Sequence, residues 1–252
     1  MWGSGPFERV EWTIAAMHDD LVARLPTGSG MRWLDVGCGT GAVSMRAARA
    51  GAEVTGLDLA PVLVETARRR AEEEGLSIRY DTGDCEALPY EDASFDVVSS
   101  SVGMMFAPDH AAAARELARV CRRGGRIGLT AWRPDSGVGD FIHLIGRFQP
   151  SPPEGAGNPL DWGREEYVSE LLGSAFEVEF DEADAPQTGE SGEELWDLFR
   201  ENFGPAKTLY DSLDEEGRRD LAQTVIEFYE RDRTDQGIQH ERRYLLILGT
   251  RR

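Results

Sequence analysis

Several kinds of residue are scarce in this chain, and each scarcity excludes a class of protein. Lysine occurs once, at Lys207, and 46 acidic residues outnumber 27 basic ones, which leaves a net charge of −19. A chain this acidic is a poor ligand for nucleic acids, because phosphates require a basic surface. No apolar run approaches the roughly 18 residues that span a bilayer, and no charged-then-apolar signal segment opens the chain. We therefore expect neither a membrane protein nor a secreted one, and no nucleic-acid partner.

Cysteine and histidine are also scarce. The three cysteines are Cys38, Cys85 and Cys121, an odd number without close pairing. This pattern argues against a disulfide framework and predicts a reducing compartment, the cytoplasm. The four histidines form no Cys/His pair at the spacing of metal ligands, so we expect no metal site.

Negative charge is concentrated in the second half of the chain. Residues 151–240 carry a net charge of −17, and a loop rich in proline and glycine lies at 149–159. Such composition is typical of an exposed connection between structural parts.

The first half alternates short apolar runs with amphipathic stretches. After a predicted helix at 7–25, the pattern predicts strands at 31–36, 53–57, 77–82, 95–100 and 126–132, with helices at 42–50, 61–74 and 110–122. Beyond residue 133 it predicts helices at 141–148, 164–172 and within 191–233, and strands at 176–180 and 244–249. Strands that alternate with helices favour a doubly wound, Rossmann-like α/β fold with a parallel sheet.

A glycine-rich turn follows the first predicted strand. The segment Leu34–Gly41 reads LDVGCGTG. Glycine suits this position because side chains would hold a ligand away from the backbone, and positive φ angles are costly for other residues. Ligands of open α/β sheets bind at the carboxyl ends of the strands. Gly37, Gly39 and Ala42 also satisfy the dinucleotide pattern G-x-G-x-x-G/A, so the turn alone does not specify the ligand.

Two carboxylates follow the next two strands. Asp58 ends the second strand, where a carboxylate can accept hydrogen bonds from a ribose diol, and Asp84 follows the third, where it can accept one from an adenine amino group. The backbone N–H of Cys85 could meet a ring nitrogen. Each aspartate alone could equally be a helix cap or a solvated turn residue. Their joint position predicts a site for an adenosine.

Four segments together resemble a known family. They are LDVGCGTG, GLDLAP, GDCEALPYEDASFDVV and ELARVCRRGGRIGL, and they cover about residues 31–132. They are similar to the successive motifs of class I S-adenosylmethionine-dependent methyltransferases, in particular the ubiquinone/menaquinone-biosynthesis (type 11) group. The resemblance implies a seven-stranded sheet whose last strand is antiparallel. It also implies S-adenosylmethionine as cofactor and S-adenosylhomocysteine as product.

The resemblance also implies roles for individual residues. Gly37, Cys38 and Gly39 would border the methionine part of the cofactor, and Asp35 would support their turn. Asp58 would bind the ribose and Leu59 would contact the adenine, whose edge Asp84 and the Cys85 amide would bind. Ser100 and Ser101, at the end of the fourth strand, would lie near the methyl group. The family more often has alanine at the position of Cys85, which a backbone contact tolerates.

The sequence says less about where the acceptor molecule binds than about where the cofactor binds. We predict an N-terminal helix or lid at 1–30, a cofactor-binding core at 31–182 and 243–252, and a helical insertion at 183–242 that is a candidate substrate cap. The insertion is longer than the corresponding hairpin of the family. Apolar side chains at strand ends and in the first helix are candidates for contact with a small-molecule acceptor: Trp12, Met104, Met105, Phe106 and Trp132. Each could also be an ordinary core residue.

An acceptor that is protonated when it attacks would need a general base. His143 follows the fifth strand and is the candidate, although most single histidines are structural. We predict methyl transfer by in-line displacement to an oxygen, nitrogen or carbon nucleophile. Two other functions stay open: an NAD(P)-dependent oxidoreductase, and a non-catalytic S-adenosylmethionine-binding protein.

Overall fold

The structure is a computed structural model that describes residues 2, 5, 7–150 and 152–252. Residues 1, 3, 4 and 6 of the predicted lid, and residue 151 of the predicted loop, lie outside the described residues. The chain divides into two compact units. The sheet unit comprises residues 15–133, 154–183 and 244–252. The helical unit comprises the described residues within 1–14, 134–153 and 184–243. Residues 134–153, which we predicted to be part of the core, thus belong to the helical unit. The predicted lid at 1–30 is divided between the two units after Ile14.

The strands of the sheet unit follow the predicted order. They are β1 (Arg32–Val36), β2 (Glu53–Asp58), β3 (Arg79–Thr82), β4 (Phe95–Ser101), β5 (Cys121–Trp132), β6 (Phe176–Asp184) and β10 (Arg243–Arg251). They form one seven-stranded sheet in the order β3-β2-β1-β4-β5-β10-β6. The five strands β1 to β5 pair in parallel, whereas β10 pairs antiparallel with β5. The predicted α/β fold with an antiparallel last strand is therefore confirmed.

Helices connect these strands. They are α2 (Ala15–Ala23), α3 (Ala42–Arg49), α4 (Pro61–Glu73), α5 (His110–Val120) and α7 (Glu165–Leu172). Proline suits the first turn of α4, because its missing N–H would have no intrahelical partner there. Asp109 caps α5 by accepting a hydrogen bond from the N–H of Ala112 at 2.8 Å.

The boundary between α5 and β5 was predicted in the wrong place. We expected the helix to reach residue 122 and the strand to start at 126, but β5 begins at Cys121. Cys121 pairs with Phe95, and the register shifts before Val97 pairs with Arg126. Pairing with β4 therefore extends the strand through Gly124 and Gly125. In the sequence alone, two adjacent glycines are typical of the end of a helix.

The predicted single helix at 7–25 is two helices. The first, α1 (Glu8–Trp12), belongs to the helical unit, and α2 belongs to the sheet unit. The Thr13 hydroxyl donates to the carbonyl of Val10 at 2.8 Å, and Arg242 donates to the Thr13 carbonyl at 2.7 Å. These bonds end the first helix at a point where the apolar periodicity continues, which explains the error.

The helical unit contains more than helices. Besides α1 it has α6 (Gly137–Gly146), α8 (Gly192–Asn202), α9 (Gly204–Ser212) and α10 (Glu215–Glu230). A three-stranded antiparallel sheet, which we did not predict, is formed by β7 (Gln187–Gly189), β8 (Arg233–Thr234) and β9 (Gly237–His240). These strands have two to four residues, too few for an alternation to stand out in the sequence. The core of this unit is aromatic, with Phe141 in contact with Phe199, Phe228 and Tyr229.

Among the described residues, the helices are all too short or too polar to cross a bilayer. The cytoplasmic location expected from the cysteines stays a prediction.

Candidate functional site

The predicted site residues of the sheet unit lie at the carboxyl ends of adjacent parallel strands. The β1–β2 register aligns Val36 with Leu57, and the β2–β3 register aligns Asp58 with Thr82. On the other side of β1, Asp35 is aligned with Ser99 of β4. The turns that follow β1, β2, β3 and β4 therefore meet at one edge of the sheet, where ligands of open α/β sheets bind.

The turn after β1 needs its glycines. Gly37, Gly39 and Gly41 have φ angles of +66°, +54° and +88°, a region that L side chains rarely adopt. A Cβ atom at Gly37 would lie 3.0 Å from the Cα of Gly103, so two bare backbone segments approach closely here. The turn thus presents backbone rather than side chains at the carboxyl edge of β1.

Asp58 holds this turn in place. Its Oδ2 accepts a hydrogen bond from the N–H of Gly39 at 2.9 Å, and its Oδ1 accepts one from the N–H of Ala60, also at 2.9 Å. Burial raises the pKa of Asp58, and these backbone hydrogen bonds oppose that rise. Each carboxylate oxygen can accept a further hydrogen bond. The same side chain can therefore support the turn and accept hydrogen bonds from a ligand.

Asp35 lies beneath the turn and faces the interior. It is 1% exposed, and it accepts hydrogen bonds from the hydroxyls of Ser44 at 2.6 Å and Ser99 at 3.0 Å. The Ser99 hydroxyl also accepts a bond from the Trp33 indole at 2.8 Å. Burial raises the pKa of Asp35 to about 6. Asp35 therefore ties β1 to α3 and β4, and a supporting role fits this geometry.

The edge beside Asp58 exposes apolar side chains. Leu59 is 64% exposed and Val62, at the start of α4, is 60% exposed. Asp84, after β3, is exposed and accepts a hydrogen bond from the N–H of Glu86 at 2.9 Å. The neighbouring Cys85 is partly buried, and burial raises the pKa of its thiol to about 12, which keeps it neutral. This edge offers an apolar surface flanked by carboxylates, as an adenosine requires.

The end of β4 is strained. Val102 has a φ of +61°, which is unusual for a β-branched residue. The two predicted serines precede it: Ser100 Oγ accepts a bond from the N–H of Met104 at 3.1 Å, and Ser101 Oγ lies 3.1 Å from the Thr130 hydroxyl. The strained residue places Gly103 against Gly37. We did not foresee this role, since positive φ angles cannot be read from a valine.

The apolar candidates have different environments. Met104 and Met105 are buried, and Phe106 is partly buried, in a short 3-10 turn after β4. Trp132 is 7% exposed and packs edge-on against Tyr244 at the start of β10.

The structure does not bring all the candidates into one unit. Trp12, 71% exposed, and His143, also exposed, belong to the helical unit, whereas the cofactor residues belong to the sheet unit. Their roles stay predictions.

Sequence reasoning missed two further residues near the turn. Arg70 on α4 donates from Nη1 to the carbonyl of Thr40 at 2.9 Å and to its hydroxyl at 3.0 Å. His18 on α2 is buried, with 5% of its surface exposed. Neither belongs to a recognisable motif, and no signal in the sequence distinguishes Arg70 from the other arginines of its helix.

A groove of about 840 Å³ lies at the opposite edge of the sheet. The residues that begin four strands line it: Arg32, Glu53, Arg79 and Phe95. Arg32 and Arg79 form ion pairs with Asp96 and Asp81. The groove lies at the amino ends of the parallel strands, away from the edge at which such sheets bind ligands.

These features are typical of a cofactor-binding α/β protein. They are a glycine turn without side chains, a carboxylate at the end of the second strand, and a seven-stranded sheet whose last strand is antiparallel. Comparisons with known proteins give the family. Residues 34–129 match the methyltransferase domain family. Over 224 residues the chain is 30% identical to 27-O-demethylrifamycin SV methyltransferase of Amycolatopsis mediterranei (strain S699), covering 86% of this chain and 76% of the relative.

Two further similarities span nearly the whole chain. An uncharacterised protein of Mycobacterium tuberculosis (strain ATCC 25618 / H37Rv) is 35% identical over 266 residues, covering 100% of this chain and 93% of that protein. The crystal structure of the YcgJ protein from Bacillus subtilis has the same fold, with a TM-score of 0.66 and 23% identity over 94% of this chain and 98% of that one. The chain belongs to the methyltransferase family, the class whose methyl donor is S-adenosylmethionine.

The residues present fit this cofactor. The turn holds its glycines at positive φ angles and packs Gly37 closely against Gly103, an approach that a Cβ at Gly37 would disrupt. The free acceptor capacity of Asp58 suits hydroxyl donors such as those of a ribose, and the exposed Leu59 suits the face of a purine. The predicted recognition of the cofactor is therefore chemically consistent with the carboxyl edge of the sheet.

Proposed function

We propose that this methyltransferase acts on a hydroxyl group of a small, uncharged or cationic organic molecule. The observation that carries this proposal is the similarity over 86% of the chain to an enzyme named for a 27-O-demethylated substrate. The net charge of −19 adds to it, because a field of this sign disfavours anionic acceptors.

We assign the cofactor to the carboxyl edge of the sheet unit. In this proposal Asp58 accepts hydrogen bonds from the ribose, while Leu59 contacts the adenine. Asp84 and the Cys85 amide bind the adenine edge. Gly37, Cys38 and Gly39 border the methionine part, Asp35 supports their turn, and Ser100 and Ser101 lie near the reacting end. What supports these roles is the shared location at one edge and the hydrogen bonds that order the turn.

When bound, the cofactor supplies a sulfonium with an activated methyl group. The chain itself must hold the acceptor oxygen in line with that methyl group. Such positioning is worth on the order of 7–11 kcal/mol in well-oriented reactions. A turn fixed by Asp58, Arg70 and Gly103 is suited to it, because few of its backbone groups must reorganise when a ligand binds.

A hydroxyl acceptor must also lose its proton. A phenol has a pKa of about 10, so at neutral pH it reacts faster if a general base assists. We propose His143 as this base because it follows the fifth strand and its side chain is exposed. Trp12, Met104, Met105, Phe106 and Trp132 remain our candidates for contact with the acceptor.

The test combines binding and turnover. Calorimetry with S-adenosylhomocysteine and with NAD asks which nucleotide binds, and we expect binding of the first alone. Incubation with S-adenosylmethionine and a panel of alcohols, phenols and amines, followed by mass spectrometry, asks which acceptor gains a methyl group. Methylation of amines alone would contradict the hydroxyl assignment. Binding of NAD alone would contradict the cofactor assignment.

A further inference from the structure

A buried histidine of the sheet unit has an unsatisfied ring nitrogen. His18 exposes 5% of its surface, and its Nδ1 has no hydrogen-bond partner among the residues that the structure describes. Buried polar atoms in folded proteins nearly always have a partner. Leaving such an atom without a partner destabilises the folded protein, so it calls for an explanation.

Two arginines that bond to the glycine turn and to the start of α3 act electrostatically on His18. They are Arg46 and Arg70. Arg70 donates a hydrogen bond to the Thr40 carbonyl at 2.9 Å, and Arg46 donates one to the Ala42 carbonyl, also at 2.9 Å. Arg70 therefore bonds to the turn and Arg46 bonds to the start of α3, and the charges of both arginines act on His18.

The contacts of Met17, the residue before His18, show that this part of α2 lies at the carboxyl edge of the sheet. Met17 Sδ lies 3.3 Å from the Thr130 hydroxyl and 3.6 Å from the Ser101 hydroxyl. These two hydroxyls lie near the carboxyl ends of β5 and β4. Met17 therefore contacts the ends of these strands, and His18 is the next residue of the same helix.

The imidazole is uncharged in this environment. Burial, and next the charge of Arg46, lower the pKa of His18 to about 3, although Asp19 opposes them. A neutral imidazole carries one N–H donor and one acceptor nitrogen. His18 can therefore donate a hydrogen bond without adding a positive charge to those of Arg46 and Arg70.

We propose that His18 is a positioning residue for the cofactor, whose Nδ1–H donates a hydrogen bond to the carboxylate of its amino-acid part. The inference rests on the proposed cofactor site. Arg46 forms an ion pair with Asp19 at 2.6 Å, and the charge of Arg70 also acts on His18, so an anionic group suits this place. The carboxylate is the anionic group of S-adenosylmethionine. The bound carboxylate would satisfy the nitrogen that otherwise has no partner. His18 acts on binding and orientation and takes no part in the transfer itself.

Two ligands that differ only in the amino-acid part test this role. S-adenosylhomocysteine carries the amino and carboxylate groups, and 5′-methylthioadenosine lacks both. Calorimetry should show that His18→Leu raises the Kd of S-adenosylhomocysteine by roughly tenfold or more and changes the Kd of 5′-methylthioadenosine by less than about twofold. His18→Asn, whose amide nitrogen can take the place of Nδ1, should restore most of the lost affinity.

His110→Leu is the matched control, because His110 is also a buried histidine of the sheet unit. Its Nδ1 lies 2.7 Å from the Tyr167 hydroxyl, and its Nε2, like the Nδ1 of His18, has no partner among the described residues. This control variant should leave the ratio of the two affinities unchanged. If His18→Leu does not fold, Asn and Gln at position 18 replace it, since the Gln amide reaches the position of Nε2 and should not rescue. Equal loss of both ligands, no loss of either, or no difference between Asn and Gln would overturn the proposal. If the unaltered protein binds neither ligand, the proposed cofactor site itself is wrong.

Discussion

Asp58 and Asp35 lie near the same edge of the sheet but have different surroundings, which their residue type does not reveal. Asp58 is only partly buried and faces the turn after β1, whereas Asp35 is buried and bonded to two serine hydroxyls. The sequence places both at strand ends. The choice between a ligand-binding and a supporting role depends on which way each side chain points.

The role of Asp58 can be measured by binding. We expect Asp58→Ala to weaken the binding of S-adenosylhomocysteine by about 1.5–3 kcal/mol, because hydrogen bonds to a charged acceptor are worth about that much. Asp58→Asn, which keeps one acceptor oxygen, should lose less. Asp92→Ala is the control, since Asp92 is an exposed partner of Arg119. An unchanged affinity in Asp58→Ala, measured by calorimetry, would refute the ribose assignment.

Asp35 should make stability depend on pH. Its pKa is raised from 3.8 to about 6 in the folded protein by burial, so the protonated form is favoured by folding. The stabilising contribution is complete below about pH 4 and is lost as the pH rises through 6. The full change corresponds to roughly 3 kcal/mol.

Denaturant unfolding of the unaltered protein and of Asp35→Asn between pH 4 and 7 tests this. The free energy of unfolding of the unaltered protein should fall relative to that of the variant across this range, because asparagine does not titrate. A constant difference between the two proteins would show that Asp35 keeps an ordinary pKa.

At the scale of elements, caps and pairing decide where helices and strands end. The cap of α5 was readable from the sequence, since an aspartate stood before an alanine-rich stretch and its hydrogen bond to Ala112 is present. The end of α5 was not readable, because it depends on the pairing of Cys121 with Phe95 in β4. The break between α1 and α2 likewise depends on Arg242, 229 residues away from Thr13.

Loss of the α5 cap should have a modest cost. Asp109→Ala removes the acceptor for the Ala112 N–H, which typically costs about 1 kcal/mol, or roughly 2–4 °C in Tm for a chain of this size. Asp109→Asn should retain most of the stability, because asparagine caps helices as well as aspartate does. Thermal unfolding followed by circular dichroism measures both variants. Equal melting temperatures for the unaltered protein and Asp109→Ala would show that the cap contributes nothing.

At the scale of the whole molecule, every residue assigned to the cofactor lies in the sheet unit, within residues 15–133. A ligand that binds only the folded protein stabilises it by RT ln(1 + [L]/Kd), about 2.7 kcal/mol at a hundredfold excess over Kd. The sheet unit should therefore gain stability directly when S-adenosylhomocysteine binds.

Hydrogen exchange tests this at the level of segments. Saturating S-adenosylhomocysteine should slow exchange of the amides in β1, β2 and α3, and raise the Tm, whereas the same concentration of NAD should do neither. Slower exchange confined to α8 and α10 would place the ligand elsewhere and contradict the assignment.

The sequence alone determined the succession of strands along the sheet unit, the glycine turn, the carboxylates at the end of β2 and after β3, and the family to which these belong. This succeeded because alternating apolar runs, glycine and acidic residues are local properties, and a parallel sheet brings its strand ends together. Only the tertiary structure decided the interior position of Asp35, the strain at Val102, the burial of His18 and the small sheet β7-β9-β8. Those features depend on contacts between residues that are far apart in the chain, and no local pattern encodes them.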